Sequence, residues 1–253
     1  MRIINKNEGG SWVAVNGHEN RTDTDIMKNL FHRLQDVQVW FADMDDSDAY
    51  SPAKEIAEKA VGTIYTSPRY LNWCIGTAFA LMAKGKKAES ARWKKYVEKF
   101  LRKKRALKDL KEIFTEEKVK KSLYKDVERF YRALPADKYY ITRNVREVVE
   151  AYAGYLGFKG TFPEADDKGK IVESFINGNP GIKRYGCSGD SIEDECVIDV
   201  LDFYRKKGKI EDTIGVYVTE KPEESHTNNK FEVQVSKERG ALLEILYGKA
   251  YFI

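Results

Sequence analysis

The chain has 253 residues, of which 42% are hydrophobic and 33% are charged, and its formal net charge is +4 at pH 7. This composition excludes an intrinsically disordered chain and predicts a folded protein of one large domain or two moderate ones. So small a net charge does not indicate a nucleic-acid-binding protein. The most apolar segment, 71–82, is too short to span a bilayer, and no apolar signal core follows Met1. The three cysteines lack metal-binding spacing, and their odd, sparse count indicates reduced thiols in a cytoplasm. We therefore expect a cytoplasmic protein that binds neither nucleic acid nor membranes.

Residues 1–36 predict a hairpin followed by a helix, which together would form an N-terminal extension. The stretch 12–18 alternates and ends in Asn16-Gly17, a hairpin-type turn signal. The stretch 24–34 has the pattern of a short helix. The apolar run 37–42 after it is typical of a buried strand in a parallel sheet.

The segment 53–134 has helical spacing of its apolar residues, few turn residues and almost no strand-like alternation. The simplest interpretation is an insert of four or five helices packed as a bundle. Since the first strand lies before this insert, we expect it to interrupt an α/β core formed by 37–52 and 135–253.

Strands alternate with helices from residue 135 onward, which predicts a parallel sheet covered by helices on both faces. The predicted strands are 138–142, 183–187, 213–218 and 231–235, and the predicted helices are 144–156, 168–176, 191–206 and 237–246.

Two carboxylates, Asp43 and Asp45, stand directly after the first predicted strand. Side chains alternate along a strand but converge once the chain leaves it, so both carboxylates can face one ligand at the edge where ligands bind. Two acids this close repel, and one must bind a proton or both must share a cation. By itself the motif is equally consistent with a polar turn, because Asp and Ser are ordinary turn residues.

A hydroxyl and an ammonium follow at comparable places. Thr142 ends the strand 138–142, ahead of an Asn144-x-x-Glu147 capping signature, where a hydroxyl and free backbone N–H groups can hold a phosphate oxygen. Lys168 stands near a helix start, where a cation opposes the helix dipole and an anionic neighbour would explain it. Taken singly, Thr142 is more simply an ordinary pre-helical Thr and Lys168 a solvated Lys.

The last polar group lies in Gly189-Asp190-Ser-Ile-Glu-Asp194, again between a strand and a helix. Asp190 would open the helix as a cap or serve as a metal ligand, and Asp194 follows one turn later on the same face. Together these residues place three carboxylates, a hydroxyl and an ammonium at the carboxyl ends of strands of one sheet. That set predicts an oxygen-ligand site for Mg²⁺ with donors left over for a phosphoryl group.

With these residues in this order, the chain resembles the haloacid dehalogenase superfamily, whose members are mostly phosphatases. The four motifs of the family correspond to Asp43-Met-Asp45-Asp46-Ser47, to Thr142, to Lys168 with Lys170 as second choice, and to Gly189-Asp190-Ser-Ile-Glu-Asp194. Ser47 departs from the usual Thr or Val. The resemblance covers about 37–246. It implies a Rossmann-like parallel sheet with helices on both faces and identifies the helical insert 53–134 as the family's cap.

The resemblance also implies the chemistry. Asp43 would attack phosphorus and form an aspartyl-phosphate, while Asp45 would act as general acid and then general base. Mg²⁺ would be held by Asp43, the backbone carbonyl of Asp45 and Asp190, with Asp194 either as a further ligand or as support for the other ligands. The phosphoryl group would be bound by Thr142, Arg143 and Lys168.

Three functions remain open at this point. The first is a phosphatase acting on a small phosphorylated metabolite. The second is a phosphotransferase or phosphomutase, because only the acceptor of the aspartyl-phosphate differs. The third is a non-catalytic binding protein on the same fold, against which the Asp43 and Asp45 pair argues. An acid at position 45 also disfavours a dehalogenase, since halide leaves without a proton.

Overall fold

The computed structural model describes residues 2–16, 21–44, 47–50, 114–220 and 230–248. The chain divides into two compact units, one formed by 1–50 and 119–253 and the other by 51–118. The predicted bundle lies outside the described residues up to residue 113. Within the described residues, no helix combines the length and the apolar character needed to cross a bilayer.

One sheet runs through the first unit, and its strands in the described ranges are β1 Arg2–Lys6, β2 Trp12–Val15, β3 Val39–Ala42, β4 Asp137–Ile141, β5 Gly160–Phe162, β6 Arg184–Gly189, β7 Asp212–Thr219 and β8 Val233–Ser236. Their order is β1-β2-β8-β7-β6-β3-β4-β5. The strands from β8 to β5 are all parallel, whereas β1 and β2 are antiparallel to their neighbours. The predicted parallel core is confirmed, and a hairpin extends it at one edge.

The helices of the described ranges are α1 Asp23–Asp36, α2 Glu116–Ser122, α3 Val127–Ala133, α4 Arg146–Leu156, α5 Lys168–Gly178, α6 Glu195–Lys206 and α7 Gly240–Leu246. Adjacent residues of β3 show how these helices cover both faces of the sheet, since side chains alternate along a strand. Phe41 belongs to the core formed with residues of α5 and α6, such as Val172 and Leu201. Trp40, on the opposite face, packs edge-on against Phe130 of α3 with 5.9 Å between ring centroids.

The strand order reverses at β3, which determines where a ligand can bind. β3 pairs with β4 on one side and with β6 on the other, so Ala42 lies beside both Tyr140 and Ser188. β3 is completely buried, as its apolar sequence predicts for a central parallel strand. In open α/β sheets, the crevice at the carboxyl ends of strands around such a reversal is the usual binding site.

Trp40 also explains a glycine in the neighbouring strand. A Cβ at Gly186 would lie 2.2 Å from the indole of Trp40. Only glycine therefore lets β6 approach β3 with this large ring between the sheet and α3.

The N-terminal hairpin differs from its prediction in two ways. Its turn lies at 7–10, between β1 and β2, where Gly10 donates a hydrogen bond to the carbonyl of Asn7, whereas the turn predicted at Asn16-Gly17 extends outside the described residues. It is also part of the main sheet, because β2 pairs with β8. The described residues 2–16 therefore complete the sheet edge of the first unit.

The predicted capping box at the start of α4 is wrong. The N-cap residue is Val145, without a side-chain hydrogen bond to the helix. The Asn144 carbonyl oxygen Oδ1 accepts instead from the N–H of Val145 at 2.8 Å. The extended Val145 separates the asparagine from the first turn of the helix, so Asn144 lies one residue too early to cap it.

Candidate active site

Asp43 lies directly beyond β3 and is buried, with 9% of its surface exposed. Its N–H donates to the carbonyl of Ser188 on β6 at 2.9 Å. The backbone pairing of β3 and β6 thus continues one residue past the strand. This pairing fixes the point from which the Asp43 side chain projects at the carboxyl edge of the sheet.

Lys168 is the first residue of α5, and its side chain reaches the carboxylates of two other elements. Its Nζ lies 2.8 Å from Oδ1 of Asp43 and 2.5 Å from Oδ1 of Asp194. Lys170, the second choice from the sequence, has an 80% exposed side chain that pairs with Asp167, the N-cap residue of α5. The structure therefore brings Lys168 to Asp43 and leaves Lys170 on the surface.

Asp190 and Asp194 follow β6, in a loop that contains a single 3₁₀ turn, Ile192–Asp194. Ser191 is the N-cap of this turn, and both its N–H and its hydroxyl donate to Oδ2 of Asp194. The prediction of Asp190 as a helix cap is wrong, because Ser191 takes that position. One oxygen of Asp194 is thus held by Ser191 and the other contacts Lys168.

A close approach of backbone to side chain keeps Asp194 in place. A Cβ at Gly189 would lie 2.5 Å from Oδ2 of Asp194. The glycine of the Gly-Asp-x-x-x-Asp pattern is thus required by packing against the last carboxylate of the same pattern.

Asp43, Asp190 and Asp194 each place one carboxylate oxygen so that these three atoms lie within 4.8 Å of one another. The group carries three formal negative charges, and Lys168 offsets one of them. A divalent cation would neutralise the remainder, and carboxylate oxygens are the ligands that Mg²⁺ and Ca²⁺ prefer. The donor set of this chain therefore fits a hard divalent metal ion.

The electrostatics of the group agree with that interpretation. Burial raises the pKa of Asp43 well above its ordinary value, and the opposing effect of Lys168 does not restore it. Burial also disfavours the ammonium form of Lys168, but Asp43 and Asp194 more than offset this and raise its pKa. Lys168 is therefore charged, but its charge alone does not bring the pKa of Asp43 back to the ordinary value. Added positive charge would lower its pKa and favour the ionised form.

Thr142 and Arg143 follow β4, the strand next to Asp43 on the other side. Thr142 is buried, and its Oγ1 accepts from the N–H of Asn144 at 3.3 Å. Arg143 is 55% exposed and forms an ion pair with Glu193, so it lies beside the turn that carries Asp194. Thr142 therefore lies at the carboxyl edge of the strand adjacent to β3, whereas Arg143 lies at the rim of the site.

Asp45, the predicted acid-base residue, lies outside the described residues together with Asp46. The described residues resume at Ser47, and the next residue, Asp48, belongs to a second group of buried charged side chains. Its carboxylate forms an ion pair with Arg239 at 3.0 Å, with side chains 0% and 1% exposed. No local sequence pattern predicts this pair, because its partners are 191 residues apart and neither stands in a recognisable motif.

No protein-family model and no curated protein sequence matches the chain, so the comparisons rest on solved structures. A cytosolic 5'-nucleotidase IIIB bound to cytidine matches with a TM-score of 0.53 and 9% identity, over 94% of each chain. A haloacid dehalogenase-like hydrolase from Burkholderia xenovorans LB400 matches with a TM-score of 0.50 and 11% identity, over 86% of this chain and 99% of the other. The chain has the haloacid dehalogenase-like fold.

At these identities the likeness shows the fold alone. A phospho-aspartyl intermediate analogue of phosphoserine phosphatase also matches, with a TM-score of 0.42 and 14% identity over 72% of this chain and 86% of the other. The haloacid dehalogenase-like fold confirms the fold class predicted from the motifs.

Proposed function

We propose that the chain is a Mg²⁺-dependent phosphatase that hydrolyses a small phosphate monoester through an aspartyl-phosphate on Asp43. One observation carries the proposal. Lys168 joins Asp43 to Asp194, with Asp190 close by, at the carboxyl edge of a parallel sheet. A scaffold gains nothing from three clustered carboxylates around a buried ammonium, whereas phosphoryl transfer needs a nucleophile surrounded by positive charge.

In the first half-reaction, an oxygen of Asp43 forms a bond to phosphorus while the ester P–O bond breaks. Asp45 gives a proton to the departing alkoxide. In the second half-reaction, Asp45 takes a proton from water, whose oxygen attacks phosphorus. The bond to Asp43 then breaks and inorganic phosphate is released.

Lys168 has two roles in this scheme. It holds one oxygen of Asp43 at 2.8 Å, which leaves the other oxygen of that carboxylate for attack. It also places a positive charge where the phosphoryl oxygens gain negative charge in the transition state. Thr142 would contribute its hydroxyl to the same oxygens, and Arg143 would contact the phosphoryl group from the rim.

The metal ion would be held by Asp43, the backbone carbonyl of Asp45, Asp190 and Asp194. When bound, Mg²⁺ would offset carboxylate and phosphoryl charge and orient the phosphoryl group. The insert would form the cap that excludes bulk water and selects the substrate. Its part within 51–118 belongs to the second compact unit, while α3 packs on the sheet. We place the enzyme in the cytoplasm, acting on a soluble metabolite.

The test is hydrolysis of p-nitrophenyl phosphate with Mg²⁺, with EDTA, and by an Asp43→Asn variant. We expect release of p-nitrophenol only by the unmodified chain with Mg²⁺, because the amide is not a nucleophile toward phosphorus. Asp199→Asn is the matched control, since Asp199 is half exposed and pairs with Lys230 on the surface. It should retain full activity. Equal rates for Asp43→Asn and the unmodified chain would refute the proposed function.

A further inference from the structure

Arg239 is a fully buried cation outside the candidate active site. It precedes α7, and its side chain is 1% exposed. Nη1 donates to the carbonyls of Ser236 and Lys237, and Nη2 donates to the carbonyl of Ser47 and to Oδ1 of Asp48. A planar guanidinium can make all these bonds from one position, whereas an ammonium cannot. The side chain therefore joins the end of β8 to the turn that follows Asp43.

Asp48 also accepts a hydrogen bond from a residue of α3. The hydroxyl of Tyr131 lies 2.9 and 2.8 Å from the two carboxylate oxygens of Asp48. The same hydroxyl lies 3.4 Å from Oγ of Ser188. Asp48, Arg239, Tyr131 and Ser188 thus form one buried group of polar side chains, which we name the Asp48 cluster.

The Asp48 cluster is connected to the candidate nucleophile through the backbone. The carbonyl of Ser188 accepts from the N–H of Asp43, and the N–H of Asp48 donates to the carbonyl of Met44. Both ends of the segment 43–48 are therefore held, one by β6 and the other by Arg239 and Tyr131. The carbonyl of Asp48 in turn accepts from the N–H of Tyr124, where the chain returns from residues 51–118.

A buried ion pair is a poor means of stabilising a fold. Desolvation of the two charges offsets much of their attraction, and well-packed apolar residues often serve as well or better. Polar groups of this kind can instead fix one geometry among several. Catalytic side chains need such fixing, because a small displacement of a reacting group lowers the rate sharply.

We propose that Asp48, Arg239 and Tyr131 are positioning residues that hold the turn following Asp43 in its catalytic conformation. The kinetic part of this inference rests on the proposed phosphatase function. The structural part does not, and the experiment separates the two.

The experiment combines kinetics on p-nitrophenyl phosphate with hydrogen exchange, in the full-length chain. Tyr131→Phe removes one hydroxyl and keeps the ring, and Arg239→Lys keeps the charge and loses the planar set of donors. Tyr204→Phe is the matched control, since Tyr204 is also buried and its hydroxyl bonds to Asn177 at 3.1 Å, within the core of the other sheet face. All measurements are made at a temperature where each protein is folded by circular dichroism.

We expect kcat to fall about 10- to 100-fold in both variants, with KM changed less than about threefold. Hydrogen exchange in peptides covering 43–49 should accelerate about tenfold or more. Tyr204→Phe should change neither kcat nor exchange in that segment. If Arg239→Lys does not fold, Tyr131→Phe decides by itself.

Two results would overturn the inference. One is a variant with a lower melting temperature but an unchanged kcat, which would show a purely structural role. The other is unchanged exchange in 43–49. If the unmodified chain is inactive, the proposed function fails, and the exchange measurement alone decides whether the Asp48 cluster holds this turn.

Discussion

Replacing Lys168 by methionine tests how much its positive charge stabilises the fold by offsetting the two buried carboxylates that it contacts. Nζ lies 2.8 Å from Asp43 and 2.5 Å from Asp194. At an effective dielectric constant of about 20, each attraction amounts to about 6 kcal/mol before desolvation is subtracted. Removing one partner of a buried pair typically costs about 3–5 kcal/mol. We expect Lys168→Met to lower the free energy of unfolding in EDTA by about that amount.

Mg²⁺ should reduce this loss. The variant keeps all three carboxylates without the ammonium, so a divalent cation gains more from binding to it than to the unmodified chain. At a concentration one hundred times Kd, binding adds about 2.7 kcal/mol to the stability of a folded protein. The turnover number should still fall about 10²- to 10³-fold, because a donor to the phosphoryl oxygens is gone.

The assay is urea denaturation followed by circular dichroism, with EDTA and with Mg²⁺. Lys170→Met is the matched control, since that side chain is 80% exposed and pairs with Asp167 at the surface. It should change the free energy of unfolding by less than about 0.5 kcal/mol. If the two variants are equally stable in EDTA, the reasoning about charge compensation at Lys168 is wrong.

Two further predictions concern Gly189 and Asp48. Gly189→Ala places a Cβ 2.5 Å from Oδ2 of Asp194, so we expect a stability loss of about 1–3 kcal/mol and weaker Mg²⁺ binding by calorimetry. Gly154→Ala, with open space around its Cβ on α4, should instead add about 0.5–1 kcal/mol, and equal Mg²⁺ affinity in both variants would contradict this prediction. Burial raises the pKa of Asp48 from 3.8 to about 6 despite Arg239 and Tyr131, so the folded state holds this proton more tightly than the unfolded state. Its contribution to stability is therefore complete below pH 4 and is lost as the pH rises through 6. The stability of the unmodified chain relative to Asp48→Asn should fall by about 3 kcal/mol between pH 4 and 7, and a constant difference across that range would refute it.

The central strand and the residues that follow it could be predicted because the relevant signals are local. The apolar run at β3 is too short for a helix and ends at Asp43, and the Gly189-to-Asp194 pattern lies between a strand and a helix. Lys168 stood out because a cation at the first turn of a helix needs an explanation. The structure provides one in Asp43 and Asp194.

The features that were missed depend on pairing across the chain. β5 has only three residues, too few for an alternating pattern to show. The position of β2 beside β8 is set by register between segments more than two hundred residues apart. Arg239 likewise stands before an apolar helix without any local sign that its partner is Asp48.

The hairpin at the start of the chain has a consequence for association between molecules. All four residues of β8 are buried, and β2 occupies the hydrogen-bonding groups that this strand would otherwise present to solvent. β1 is therefore the outermost strand at this edge, and its register with β2 is interrupted between Ile3 and Asn5. An irregular outer strand is a poor template for strand addition, while a flat apolar one invites aggregation. Residues 2–15 thus cover the edge of β8 that would otherwise be open to strand addition.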